Sequence, residues 1–252
     1  MATVTPTPTT RVITMLKRNN SISADLHTHI LPNIDDGASS LEEAVELILL
    51  EKSQGVTDIV FTPHFSMDDS SVISFIGRRE ESFALLQEAI SKKYPDIGIN
   101  YHLGAEVKYN PHLLNIEIED LCIGNTSYLL LEPTSNSSFN LTETVIKMVA
   151  RGITPILAHV ERYHYLVNNE RTLRYLSEAG ALFQLTAKAF ITKSNRKAAK
   201  KLLRLGYADI IASDAHDLQN RKPCIGDAYK ILKRKSDYFI NNASIIIENG
   251  IL

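Results

Sequence analysis

The chain has 252 residues, of which 44% are hydrophobic and 22% charged, the proportions of an ordinary folded protein. Its 27 lysines and arginines against 29 aspartates and glutamates give a formal charge of −2, which argues against a nucleic-acid partner held by bulk charge. No apolar run approaches the roughly 18–20 residues that span a bilayer, so we expect no membrane insertion. Two cysteines are too few for a disulfide scaffold, and no secretory signal opens the chain. We therefore expect a soluble, cytoplasmic protein.

The chain is predicted to divide into a short arm and one domain. Residues 1–21 are rich in threonine and proline and show no apolar periodicity, which is typical of a flexible arm. From residue 22 to residue 252 no second boundary is visible, so this stretch is expected to form a single domain.

Short apolar runs rich in β-branched residues alternate with stretches of helical period from residue 22 onward. The predicted strands are 22–27, 56–62, 99–105, 127–132, 153–159, 181–186 and 208–213. One predicted helix follows Ser40, which opens a capping box, and ends at Gly55. The other predicted helices are 72–93, 141–151, 170–179 and 196–205. Repeated strand–helix–strand units imply parallel strands, and their number, about seven, predicts an α/β fold of the (β/α) barrel type.

Histidines and carboxylates follow these strands. The carboxyl ends of barrel strands converge on one face, where the active site of such a fold lies. The candidate metal ligands on that face are His27, His29, Asp36, His64, Glu106, Glu132, His159, Asp214 and His216. Clustered carboxylates repel one another unless cations lie between them. Nitrogen and oxygen ligands without thiolate suit Mn, Fe, Zn or Co, so the sequence predicts a site for several divalent metals.

Two arginines follow the same strand ends. Arg162 and Arg221 stand shortly after His159 and His216, and a guanidinium fork matches the oxygens of a phosphate. Their presence favours a phosphate ester over an amide as the substrate. Neither cysteine is followed by an arginine at the spacing of a cysteine-dependent phosphatase, which excludes that chemistry.

The segment DLHTHILPNIDDGA, followed in order by TPH, GAE, AHVERY and SDAH, resembles the polymerase-and-histidinol-phosphatase (PHP) superfamily. Within it, the chain is similar to the bacterial tyrosine-protein phosphatases of capsule and exopolysaccharide gene clusters, over roughly residues 24–250. It departs from their pattern at Asn33, where glycine is common, and over residues 187–196, which are basic.

The resemblance implies a distorted (β/α)7 TIM-like barrel with three divalent metal ions. Manganese is the first expectation for these ions, with Fe, Zn, Co or Mg as alternatives. The ligand sets it implies are His27, His29, Glu106 and Asp214; Glu106, Glu132 and His159; and Asp36, His64 and His216. It implies that Arg162 and Arg221 hold the substrate phosphate. A metal-activated hydroxide would hydrolyse phosphotyrosine, with Asp36 or a water as proton donor. The implied partner is the Tyr-rich tail of a bacterial tyrosine kinase that regulates polysaccharide synthesis.

Three alternatives remain at this point. A PHP phosphatase of a small phosphomonoester, such as histidinol phosphate, would use the same scaffold. A metal-dependent amidohydrolase also begins with His-x-His in a barrel, but it usually needs a carboxylated lysine at a mid-barrel strand end, where this chain has Glu132. A metal-stabilised binding module would need no hydroxide-generating cluster.

Overall fold

A computed structural model describes residues 24–134 and 138–248. The predicted arm, residues 1–21, lies outside the described residues. So do the beginning of the first predicted strand and the end of the predicted domain.

Nine strands run parallel to their neighbours. They are β1 Ala24–Thr28, β2 Asp58–Phe61, β3 His64–Phe65, β4 Asn100–Leu103, β5 Glu106–Lys108, β6 Tyr128–Glu132, β7 Thr154–Leu157, β8 Leu182–Thr186 and β9 Ile210–Ala212. One sheet has the order β1-β2-β4 and the other the order β3-β5-β6-β7-β8-β9. The N–H of His29 donates to the carbonyl of Ala215 (2.8 Å), and the N–H of Asp214 donates to the carbonyl of His27 (2.9 Å). The parallel sheet is therefore curled, so that its last strand returns to its first.

Two of the predicted strands resume after a short interruption, beyond the residues at which we predicted that they end. The run 56–62 stops at Pro63, which has no N–H for a ladder bond, and the strand resumes as β3. The run 99–105 is also interrupted, at Gly104 and Ala105, before β5 begins. His64 and Glu106 are direct partners in the β3–β5 pairing, which places both side chains at the site.

Nine helices are described. They are α1 Leu41–Ser53, α2 Val72–Lys93, α3 Ser138–Ala150, α4 His164–Val167, α5 Glu170–Ala179, α6 Lys188–Ile191, α7 Arg196–Leu205, α8 Ile225–Leu232 and α9 Ser236–Glu248. The sequence analysis did not predict α4, α6, α8 or α9. Ser40 caps α1 as predicted, but the Glu43 carboxylate accepts from the N–H and hydroxyl of Ser39 instead of completing a capping box. Among the described helices, none combines the length and the apolar character needed to cross a membrane.

The apolar core has two parts. The larger part packs the helices against the outside of the curled sheet. The smaller part fills the inside with residues such as Leu130 and Ile156, and α9 contributes Ala243, Ile246 and Ile247 to it. Because Glu132 lies two residues after Leu130 on the same face of β6, this inner cluster forms the floor of the candidate site.

The loop that follows β1 is held by unusual backbone geometry. Asn33 has φ of 58°, and its N–H donates to the carbonyl of Ala38 (2.9 Å). Asparagine tolerates this left-handed conformation better than other residues with a Cβ, which explains how Asn33 can stand where the resemblance led us to expect glycine. Gly37 has no room for a side chain, because an added Cβ would lie 2.0 Å from the carbonyl oxygen of His29.

We predict that Gly37→Ala lowers the free energy of unfolding by about 1–3 kcal/mol, because the loop must shift to relieve the clash with His29. Urea denaturation of the metal-free protein measures this. Gly77→Ala is the matched control, since a Cβ at Gly77 in α2 meets nothing within 4 Å. That control should be neutral or more stable. Equal stability of the two variants would contradict the packing described for the loop.

Candidate metal centre

The structure brings all nine sequence-predicted ligands into one cluster. Three groups have ligand atoms that lie within 4.8 Å of one another: His27, His29 and Asp214; His29, Asp36, His64 and His216; and His64, Glu106 and Glu132. His159 joins the cluster through its Nε2 atom, 2.7 Å from Oε1 of Glu106. Glu132 thus groups with His64 and Glu106, whereas the resemblance implied that it completes a set with His159.

When both rings are neutral, His27 and His29 face each other with nitrogen atoms that carry no proton. His29 Nδ1 lies 2.7 Å from Oδ2 of Asp35, and a carboxylate can only accept, so this nitrogen holds the proton. His27 Nδ1 donates in the same way to Oε1 of Gln184 (3.3 Å). The two Nε2 atoms are 3.1 Å apart, so two lone pairs meet in a buried space. A cation between them would turn this repulsion into attraction.

Gln184 is a functional residue that the sequence analysis missed. It is fully buried on β8, and its Oε1 also accepts from the backbone N–H of His159 (2.7 Å), which identifies this atom as the oxygen. One amide therefore orients two histidines of the cluster. The available signal was a lone glutamine inside an apolar strand, Leu182–Thr186.

Asp35 is a second functional residue that the sequence analysis missed. Its carboxylate accepts from His29 Nδ1, from the N–H of Gly37 (2.9 Å) and from the N–H of His64 (3.0 Å). It thus ties the loop after β1 to the beginning of β3. Its neighbour Asp36 is 61% exposed, and its Oδ1 lies 3.3 Å from Nε2 of His64.

Several buried polar atoms of the cluster have no hydrogen-bond partner among the described residues. Oε2 of Glu106 is one, although Nδ1 of His64 (3.0 Å) and Nε2 of His29 (3.2 Å) lie close to it. Nε2 of His216 is another, while the Nδ1 of the same ring faces the carbonyl of Asp214 (3.0 Å). A divalent cation binds to nitrogen and oxygen atoms that converge on one point and have no other partner. The residues present therefore fit a metal centre.

The electrostatic field differs between the histidines of the cluster. Burial alone would lower the pKa of His29, but Asp35 and Glu106 outweigh it and raise the pKa to about 10, so a metal cation would replace a proton on this ring. At His216, burial and then the neighbouring His29 lower the pKa to about 3, so this ring stays in the neutral form that binds metals.

Two candidate ligands sit on left-handed backbone. His159 has φ of 33° and Asp214 has φ of 57°, each two residues after the last residue of its strand. Such conformations are unfavourable for residues with a Cβ and are retained where the surrounding structure imposes them. Here they turn both side chains into the cluster as the strands end.

The two predicted arginines border the cluster. Arg162 donates to Oδ2 of Asp214. Arg221 donates from Nη2 to Oδ1 of Asp214 (3.2 Å) and from Nη1 to Oδ2 of Asp36 (3.2 Å). Two guanidinium groups therefore stand over the same ligand carboxylate, at the opening of the site.

Comparison with known proteins agrees with this geometry. The family model for capsular polysaccharide synthesis, CpsB/CapC, matches residues 23–251. The chain belongs to the CpsB/CapC family. The resemblance drawn from its motifs is confirmed.

Known CpsB/CapC relatives match along nearly their whole length. The tyrosine-protein phosphatase CpsB of Streptococcus pneumoniae is 30% identical over 250 residues, which cover 90% of this chain and 99% of the relative. CpsB of Streptococcus agalactiae serotype V is 30% identical over 247 residues, covering 89% and 98%. A crystal structure from work on YwqE of Bacillus subtilis and CpsB of S. pneumoniae, described as metal-dependent tyrosine phosphatases, superposes with a TM-score of 0.80 at 23% identity, covering 90% and 94%. This last likeness confirms the mixed α/β fold with a curled parallel sheet.

We predict that Asp35→Asn weakens Mn²⁺ binding by roughly 10–100-fold, because an amide no longer fixes which nitrogen of His29 carries the proton. Isothermal titration of the metal-stripped protein measures the change. Asp227→Asn is the matched control, since among the described residues Asp227 forms its ion pair with Lys230 on the surface of α8, outside the cluster. Unchanged affinity in Asp35→Asn would show that the orientation of His29 does not matter for metal binding.

Proposed function

We propose that the chain is a metal-dependent protein-tyrosine phosphatase. The observation that carries this proposal is the pairing of Arg162 and Arg221 on Asp214, itself within reach of the His27–His29 pair. Phosphate-binding forks thus stand at the edge of a cation site. The CpsB relatives named above are tyrosine-protein phosphatases, which supports phosphotyrosine as the ester that is hydrolysed.

The proposal includes the finer architecture, a distorted seven-stranded barrel formed by residues 22–252. In this barrel, β2 and β3 would together form one interrupted strand, and β4 and β5 would form another. The hydrogen bonds between residues 27–29 and 214–215 support closure of the ring.

It also includes three divalent ions, with Mn²⁺ as the first choice. Nine nitrogen and oxygen ligands suffice for three ions if the protein supplies only a few ligands to each. The absence of thiolate among these ligands favours Mn, Fe, Zn, Co or Mg. His27, His29 and Asp214 would hold one ion, and Asp36, His64 and His216 another. Glu106, with Glu132 and His159, would hold the third. When bound, such ions polarise a phosphoryl oxygen and make water a nucleophile at neutral pH.

The protein's own residues would orient the substrate. Arg162 and Arg221 would bind the phosphoryl oxygens bidentately and hold the ester in line for displacement. The leaving group is a phenolate whose conjugate acid has a pKa of about 10, so it departs without a strong general acid. Asp36 is exposed and lies against Arg221, which places its carboxyl where it could pass a proton between solvent and the leaving oxygen.

The physiological partner we propose is the Tyr-rich tail of a bacterial tyrosine kinase that regulates capsular or exopolysaccharide synthesis. The family's description, capsular polysaccharide synthesis, supports this assignment. We also propose a cytoplasmic location. Cys122 and Cys224 are both buried as free thiols, which suits a reducing compartment.

We predict that the Mn²⁺-loaded protein releases phosphate from a phosphotyrosine peptide in preference to histidinol phosphate. His216→Ala should lower this activity by about 100-fold or more, because a ligand of the proposed centre is lost. His112→Ala, an exposed histidine outside the cluster, is the matched control and should retain activity. Release from histidinol phosphate alone would move the function to a small phosphomonoester, and release from neither would contradict a phosphatase.

A further inference from the structure

A cavity of about 300 Å³ opens directly beside the metal centre. Arg162, Arg221 and Asp214 line it, so it is continuous with the site described above. Its remaining walls come from residues within 186–195 and from Ser213 and Lys222. The segment over 187–196 is the basic stretch that the sequence analysis set apart from the expected pattern.

The lining of this cavity is strongly basic. Its cations are Arg162, Arg221, Lys188 and Lys222, against the single carboxylate of Asp214. Both arginines already contact that carboxylate. Within the part of the chain that the structure describes, neither lysine forms an ion pair with a carboxylate.

The nearby acid Glu161 does not neutralise the lysines. It is buried, and its carboxylate accepts from the N–H and the hydroxyl of Thr186. It is not part of the cavity lining. Two ammonium groups thus remain without a compensating charge next to a site that takes an anion.

Lys188 is held in place by its surroundings. The N–H of Ala187 donates to the carbonyl of Ala212 (2.8 Å), and the side chain of Phe190 is buried. The Lys188 ammonium donates to the carbonyl of Asn220 (2.5 Å) and is otherwise exposed. A cation fixed in this way loses little side-chain entropy when an anion binds.

We propose that Lys188 and Lys222 bind a second anionic group of the substrate, a carboxylate or another phosphate carried near the phosphotyrosine. This rests on the proposed function, in which Arg162 and Arg221 take the phosphoryl group that is removed. The cavity has room for about ten water molecules, so it is larger than a single phosphoryl group. Lys188 and Lys222 are therefore specificity-determining residues for anionic sequences around the phosphotyrosine.

The test compares three phosphotyrosine peptides whose neighbouring residue is glutamate, a second phosphotyrosine or glutamine. For the wild-type protein, kcat/KM should be higher for both anionic peptides than for the neutral one, and the glutamate and phosphate arms distinguish the two sources of charge. Lys188→Gln and Lys222→Gln should each lower this preference by about 2–5-fold, as for a partly exposed ion pair. Added salt should reduce it as well. Lys193→Gln, an exposed lysine of the same segment outside the cavity lining, should keep the wild-type preference.

Equal kcat/KM for neutral and anionic peptides, or an unchanged preference in a variant that combines Lys188→Gln with Lys222→Gln, would overturn the proposal. Fluorescence anisotropy of the same peptides, with a phosphonate in place of the phosphotyrosine ester, gives a second readout. Charge preference in binding without any hydrolysis would keep this subsite and contradict the phosphatase. Hydrolysis without charge preference would contradict the subsite alone.

Discussion

The metal centre depends on one constraint: each orienting hydrogen bond leaves an imidazole lone pair pointing into a buried cluster. Asp35 fixes His29, Gln184 fixes His27, and the carbonyl of Asp214 fixes His216. An unpaired acceptor in a buried space is costly, and two of them at 3.1 Å are worse. The cost disappears when a proton or a metal cation takes the lone pairs, so the same arrangement raises the pKa of His29 and favours metal binding.

The local backbone serves that constraint. The loop after β1 returns to the carbonyl of His29 through Gly37, where a Cβ would lie 2.0 Å from that oxygen. His159 and Asp214 leave their strands in left-handed conformations. Substitutions at these positions should therefore affect the cluster even where they touch no ligand.

The sequence was sufficient to predict the residues that gather, but not how they are oriented. Strand ends of parallel units converge, so His27, Glu106 and Asp214 could be placed together from their position after apolar runs. Gln184 was missed because its role depends on the register between strands, and Asp35 because its contacts depend on the conformation of the loop after β1. The resumed strand at His64 was missed because Pro63 reads as a strand end. α9 carries apolar residues whose partners lie inside the sheet, and those contacts are long-range.

Anomalous diffraction from crystals grown with Mn²⁺ tests the central claim most directly. We predict a manganese peak between His27 and His29, about 2 Å from each Nε2, with Nδ1 of His29 still on Asp35. Manganese bound elsewhere in the cluster, with the two Nε2 atoms turned away from it, would contradict the account.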